Sequence, residues 1–157
     1  MLTFRDSTQE DFKRIAAFPA NASEAFYMFP KGTFPIDPEQ LYEVSLTRRV
    51  PTVIEYNGEP AGYSNLYDID EGNSGWLGNV IISSQFRRIG AARFLIQTML
   101  NRAKEELGLR ELNLICHSTN TKALLMYNQF GFKPYDLKAL KNEEDIEIAG
   151  ILMKITL

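Results

Sequence analysis

Between Trp76 and His117 the chain changes its apolar period twice, and no other feature restricts the possible folds as much. The run Leu77-Gly-Asn-Val-Ile-Ile82 is rich in β-branched residues and reads as a buried strand. From Ile89 onward, Ala92, Leu95/Ile96, Met99/Leu100, Ala103 and Leu107 recur at three- and four-residue steps. That is the pattern of a long amphipathic helix, with Gly108 as its stop. Glu111–His117 returns to strand character, with Leu112, Leu114 and Cys116 on one face. Strand, helix and strand in this order predict a parallel pair, about 76–83 and 111–117, joined by a right-handed crossover.

The joint between the first strand and the helix, Gln85-Phe-Arg-Arg-Ile-Gly-Ala-Ala92, has unusual chemistry. Gly90, Ala91 and Ala92 leave the backbone bare where the first N–H groups of a helix lack partners. Arg87, Arg88 and Arg93 crowd the same end, although an empty helix N-terminus repels cations by about 0.3–1 kcal/mol each. Two readings stand. Either an anion sits on the N–H groups between guanidinium forks, or two solvated arginines flank an ordinary turn. Neither GxxxxGK[ST] nor GxGxxG is present, so a nucleotide loop of either kind is excluded.

The rest of the chain fits around this unit. Leu2–Arg5 reads as a first strand, and Ser7-Thr-Gln-Glu10 as a capping box opening a helix through Phe12, Ile15 and Ala16. Phe18–Pro35 is aromatic and proline-punctuated, with a short helix expected near 23–28; it is either a packed connector or the wall of a pocket. Asp37-Pro-Glu-Gln40 caps a helix to about Arg48. Thr52–Tyr56 and Ala61–Tyr67 form a hairpin around Asn57-Gly58. Asp68–Gly75 is an acidic turn without calcium-loop spacing. A second helix follows from about Thr121 to Gln129, closed by Gly131, and 132–140 and 145–157 pair as final antiparallel strands. The prediction is a mixed α/β (α+β) fold: a mostly antiparallel sheet of about seven strands, with helices on both faces.

Bulk properties narrow the function. A 157-residue chain fits one domain, 1–157, and buries its own core. A net charge of −3 gives no support for nucleic-acid or anionic-membrane binding. One cysteine, Cys116, rules out an internal disulfide, and no apolar run reaches membrane-span length, so a cytoplasmic location is expected.

On the second helix Asn120, Ala123 and Tyr127 share one face. Tyr127 is either a core tyrosine satisfied by backbone or a phenol turned toward a ligand between the parallel strands.

Arg87-x-x-Gly90-x-Ala92 after a strand resembles the acyl-CoA signature of the GNAT family of N-acetyltransferases, (Q/R)xxGx(G/A). Asn120-x-x-Ala123-x-x-x-Tyr127-x-x-x-Gly131-Phe132 resembles that family's second motif, in the same order and at matching separation. The resemblance covers essentially the whole chain and implies a GNAT-like sheet whose parallel pair splays apart at the cofactor site. It implies acetyl-CoA as co-substrate, no metal, and a small-molecule or peptide amine as acceptor; a homodimer stays open.

Carried onto these residues, the resemblance implies backbone hydrogen bonds from Val80, Ile81 and Ile82 to the pantetheine arm. It implies the pyrophosphate on the N–H groups of Arg87, Arg88, Ile89, Gly90, Ala91, Ala92 and Arg93. Asn120 and Ala123 would meet the cofactor where the strands part. Tyr127, near the sulfur, would be the general acid, with a backbone N–H of the central strand, that of Val80, steadying the oxyanion.

Two positions depart from the family pattern. No glutamate stands among Trp76, Leu77, Gly78 and Asn79, which leaves the base open among His117, Asp68, Asp70, Glu24 and water. Arg88 stands where the family often has glycine. The alternative to an enzyme is a CoA-binding regulatory or structural module without catalysis.

Overall fold

The computed structural model describes residues 1–157. In chain order the elements are β1 (Leu2–Asp6), α1 (Asp11–Ile15), α2 (Ala22–Met28), α3 (Pro38–Ser45), β2 (Arg49–Tyr56), β3 (Glu59–Asp70), β4 (Ser74–Ile82), α4 (Ala91–Glu105), β5 (Glu111–His117), α5 (Thr121–Phe130), β6 (Lys133–Lys141) and β7 (Glu147–Thr156). A single 3₁₀ turn, Ser84–Phe86, leads from β4 toward α4. No helix is long and apolar enough to cross a membrane.

The seven strands form one sheet in the order β1-β2-β3-β4-β5-β7-β6. Every neighbouring pair is antiparallel except β4 and β5. Two apolar layers cover the sheet. On one face α4 and α5 close over Leu77, Leu95, Ile96, Met99, Leu112, Leu114, Tyr127 and Phe132. On the other, α1, α2 and α3 bury Phe12, Ile15, Met28, Leu41, Val53, Tyr63 and Ile81. The mixed fold is the one expected, and local chemistry accounts for most of its joints. Asn57 and Gly58 both take positive φ (50° and 86°), the requirement of a tight hairpin. Asp37 caps α3 by accepting from the Glu39 N–H (3.0 Å), with Pro38 at the first helical position.

Two local expectations fail. Ser7 does not cap α1: its N–H donates to Pro51, and the helix starts only at Asp11. The Asp11 carboxylate instead accepts from the Thr8 N–H (2.7 Å) and forks with Arg5 (2.8 Å), so a carboxylate three residues after Thr8, paired with a nearby arginine, takes the place of the expected box. Ile89 lies outside α4 and is 39 % exposed, because Gly90 in the left-handed region marks the helix start.

What positions the site is a break in β4. Opposite Ser64 of β3, two residues, Asn79 and Val80, occupy the space of one. Asn79 has φ of 50°, which asparagine tolerates better than most residues. The bulge inverts the strand's alternation. Leu77 faces the α4 layer while Ile81, four residues on, faces the α1–α3 layer. The buried Asn79 side chain fixes the distortion, accepting from Asn65 Nδ2 (2.8 Å) and donating to the Met28 carbonyl (2.7 Å). Asn79→Ala therefore removes two buried hydrogen bonds and puts alanine in a left-handed backbone. We expect a loss of about 2 kcal/mol in denaturant-monitored stability. Asn79→Gly, which keeps the φ, should lose less; equal losses would contradict the backbone part of the argument.

β4 parts from β5 already ahead of the bulge. Their hydrogen-bonded register covers only Ser74–Trp76 against Glu111–Asn113. Beyond Trp76 and Asn113 the two strands diverge, and a wedge opens toward their carboxyl ends.

Candidate active site

The wedge has three borders: the freed edge of β4, the start of α4, and the face of α5 that carries Tyr127. In open sheets of this kind, ligands bind at the carboxyl ends of parallel strands where neighbours part.

Along β4, Val80 and Ile82 are half-buried against the α4 layer and Ile81 is buried on the opposite one. The β5-facing backbone edge from Leu77 to Ile82 has no strand partner. An extended ligand can add to such an edge as a further strand does.

At the carboxyl end of β4 the chain passes through the exposed residues Arg87, Arg88, Ile89 and Gly90 into α4. None of the seven N–H groups from Arg87 to Arg93 has an acceptor within the chain, and no side chain caps the helix. Gly90 has φ of 82°, and a Cβ there would meet nothing within 4 Å. A helix of 15 residues thus presents an uncapped positive end, flanked by a short row of free donors. Such a row is suited to the oxygens of a diphosphate.

The three arginines differ. Arg87 is not free: it forks onto Glu24 of α2 (Nη1–Oε2 3.1 Å), which holds the Glu24 carboxyl below its usual range and the guanidinium above its own. Arg93 donates to Gln129 (2.7 Å) and stacks on Phe130 of α5 (5.6 Å). Arg88 has no side-chain partner and sits at φ of 67°, in the region that favours glycine. The side chain thus occupies a strained backbone position with its charge unused by the protein. Arg88→Gly should relieve backbone strain and leave thermal stability nearly unchanged. It should weaken inorganic pyrophosphate binding at this helix end about fivefold at low salt and less at high salt, since screening removes an exposed charge's contribution. A titration calorimeter at two ionic strengths checks this, and a salt-independent loss would contradict it.

On α5, Asn120 stands just before the helix, half-buried, and its side chain makes no hydrogen bond. Ala123 packs against the α4-side core. Tyr127 is 7 % exposed and edge-on to Phe132 (5.7 Å). Its hydroxyl has no partner within the chain, yet no sealed polar side-chain atom lacks one, so this oxygen reaches accessible space. Burial, and then the nearby Cys116 sulfur, push the phenol well above its ordinary pKa. Tyr127 is therefore a neutral hydrogen-bond donor throughout the physiological range. Burial pushes the Cys116 thiol itself up to about 12.

The base candidates separate. Asp68 and Asp70 lie where β3 pairs with the first residues of β4 (Tyr67 with Trp76, Asp70 with Ser74), at the closed end of the wedge. Glu24 is committed to Arg87. His117 ends β5, at the open end, buried to 5 % exposure under the rings of Phe26 and Tyr27.

Sequence reasoning missed Asn79 as the residue that fixes the bulge beside the wedge and Glu24 as the partner of Arg87. An asparagine amid apolar strand residues was the one visible signal of the first. The second depends on α2 folding over the turn, which no local pattern announces.

Comparison with known proteins gives the class. The chain belongs to the acetyltransferase (GNAT) family, whose sequence pattern matches residues 10–132. No curated protein matches it significantly by sequence. Among solved structures it resembles a spermidine N-acetyltransferase from Vibrio cholerae in complex with CoA and spermine. Identity is 22%, with a TM-score of 0.82 over 99% of this chain and 95% of that one. It also resembles the ribosomal-protein-S18-alanine N-acetyltransferase from Escherichia coli (18%, TM-score 0.76, covering 99% and 94%). A third likeness is to an acetyltransferase of the GNAT family from Streptococcus pneumoniae (20%, TM-score 0.72, covering 100% of both). At these identities the structural likeness is one of fold.

Proposed function

We propose that this protein is an acetyl-CoA-dependent N-acetyltransferase that transfers the acetyl group to a primary amine by direct attack. The observation that carries the reading is the row of free N–H groups from Arg87 to Arg93 at the mouth of the β4–β5 wedge. These N–H groups, with Arg88, hold the pyrophosphate. The open edge at Val80, Ile81 and Ile82 holds the pantetheine arm, and Asn120 and Ala123 border it from α5. When bound, acetyl-CoA supplies an activated thioester. The protein works in the cytoplasm, where Cys116 remains a thiol.

The residues divide the chemistry between them. The Val80 N–H donates to the carbonyl oxygen as charge builds there. Tyr127 donates its hydroxyl proton toward the departing sulfur. In water this transfer is uphill by about 2 kcal/mol, from a phenol near 10 to a thiol near 8.5. Burial raises the phenol further, and the same desolvation raises the neighbouring Cys116 thiol. The transfer then runs through a hydrogen bond from the phenol to the sulfur, late in C–S cleavage.

One observation favours a second reading, a CoA-binding module without catalysis: β4 offers no carboxylate among Trp76, Leu77, Gly78 and Asn79. Thiol release from acetyl-CoA with a panel of amines separates the two. Turnover with at least one amine supports the enzyme; tight CoA binding with no turnover on any supports the module.

A further inference from the structure

Arg48 is the one arginine that is withdrawn from water without a carboxylate beside it. Arg5, Arg14, Arg49, Arg87 and Arg102 each meet an acidic partner. Arg88, Arg93 and Arg110 do not, but all three are exposed. Arg48 is half-buried, and its guanidinium lies on the ring of Tyr67, 4.2 Å from the centroid. Its one hydrogen bond is long, Nη1 to Asn65 Oδ1 at 3.3 Å. A guanidinium has five N–H donors. Those left over reach accessible space, because no sealed polar side-chain atom lacks a partner. Burial lowers the guanidinium from its ordinary pKa, although Asp68 lies in its field. A cation held in this way is costly unless an anion completes it.

β4 shows where that anion would sit. Asn65 pairs with Gly78 and Tyr67 with Trp76, so these residues share the face of the sheet that carries Tyr63 and the α1–α3 layer. A Cβ at Gly78 would stand 2.6 Å from Arg48 Nη1 and 2.9 Å from the Tyr67 ring. The absent side chain is what lets the guanidinium lie against the strand. Trp76 is the last β4 residue paired with β5, so Gly78 already belongs to the open part of the wedge. Val80 follows two residues later, at most about 7 Å along the strand. α4, α5 and Tyr127 cover the opposite face. Arg48 therefore borders the wedge from the face left to the second substrate, where Tyr67 and Trp76 stay half-exposed.

We propose that Arg48 binds a carboxylate of the acceptor, and that the acceptor is an amino acid whose carboxylate lies a few bonds from the reacting amine. The inference rests on the acetyltransferase reading above, and the product is then an N-acetylamino acid. Stacking on Tyr67 fixes the plane of the guanidinium and leaves its in-plane N–H groups to fork onto two carboxylate oxygens. One guanidinium with Asp68 in its field matches a single negative charge, not a dianionic phosphate. The short step from Gly78 to Val80 limits the distance between carboxylate and amine. A polyamine would bring a second cation to the same place and is selected against.

The test follows thiol release from acetyl-CoA with the standard amino acids, each beside its own carboxamide. For the amino acid used best, wild type should favour the acid over the amide by about 10²-fold in kcat/KM, since the amide leaves the guanidinium unpaired. Equal or better use of the amide overturns the proposal, as does turnover confined to amines without a carboxylate. In Arg48→Gln the acid-to-amide ratio should fall to near one. Arg48→Lys should keep part of it, because lysine holds the charge without the fork. A ratio that survives in Arg48→Gln overturns the role. So does an equal loss on acid and amide with weakened acetyl-CoA binding, the mark of a structural residue. A readout free of turnover is the Arg48 Nε–Hε NMR signal, assigned by its absence from Arg48→Gln. It should move when N-acetylglycine is added to the CoA-loaded protein and stay in place with N-acetylglycinamide. No movement with the acid, or equal movement with both, overturns the proposal even in a protein that turns nothing over. Failure of the acetyltransferase reading looks different: no CoA binding by wild type at all.

Discussion

Replacing Tyr127 by phenylalanine should reduce kcat about 10³-fold while leaving both acetyl-CoA affinity and thermal stability close to wild type. The stability part follows from the hydroxyl's lack of any partner in the chain, so its removal strands no other group. The ring contributes the packing, edge-on to Phe132 and 7 % exposed, and phenylalanine keeps it. The catalytic part follows from the phenol's assigned task, since a positioned acid typically accounts for about 10²–10⁴-fold. Because burial raises the phenol's pKa, no loss of activity assignable to Tyr127 should occur below pH 10. Steady-state thiol release from pH 6 to 10 checks both statements. Equal turnover in the two proteins would remove Tyr127 from the reaction.

The second large effect is expected at Gly90. With φ of 82° it holds a backbone position that a β-branched residue enters only under strain of about 1–2 kcal/mol. A Cβ there meets nothing within 4 Å, so Gly90→Val should fold, with a melting temperature only a few degrees lower. The isopropyl group then stands in the open space beside the free N–H groups and disturbs their alignment. Acetyl-CoA affinity should fall more than about 10²-fold, read by calorimetric titration. Gly90→Asn separates the two causes, because asparagine tolerates the left-handed region. Its affinity should fall between wild type and the valine variant, and full retention in the valine variant would contradict the phosphate assignment.

Much of the architecture could be read locally. The period change from β4 to α4 to β5, the Asn57-Gly58 hairpin and the Gly131 helix stop all express preferences that act within a few residues. The two motifs placed Gly90 and Tyr127 at one opening for the same reason: their spacing is fixed by one helix each. The illegible parts depend on contacts between distant segments. Glu24 meets Arg87 across 63 positions of sequence. The bulge that bends β4 beside the wedge is held by Asn79 reaching the Met28 carbonyl of α2, 51 positions away. His117 illustrates the difference well. Its position at a strand end was plain, whereas its lack of partners and its side of the sheet appear only in three dimensions.

The most direct measurement is an amide NMR titration of the protein with CoA. The account predicts that the largest ¹⁵N–¹H shifts, saturating together, fall on Arg87 to Arg93 and continue along Val80 to Ile82. Shifts concentrated elsewhere, with the amides of that turn unmoved at saturation, would contradict it.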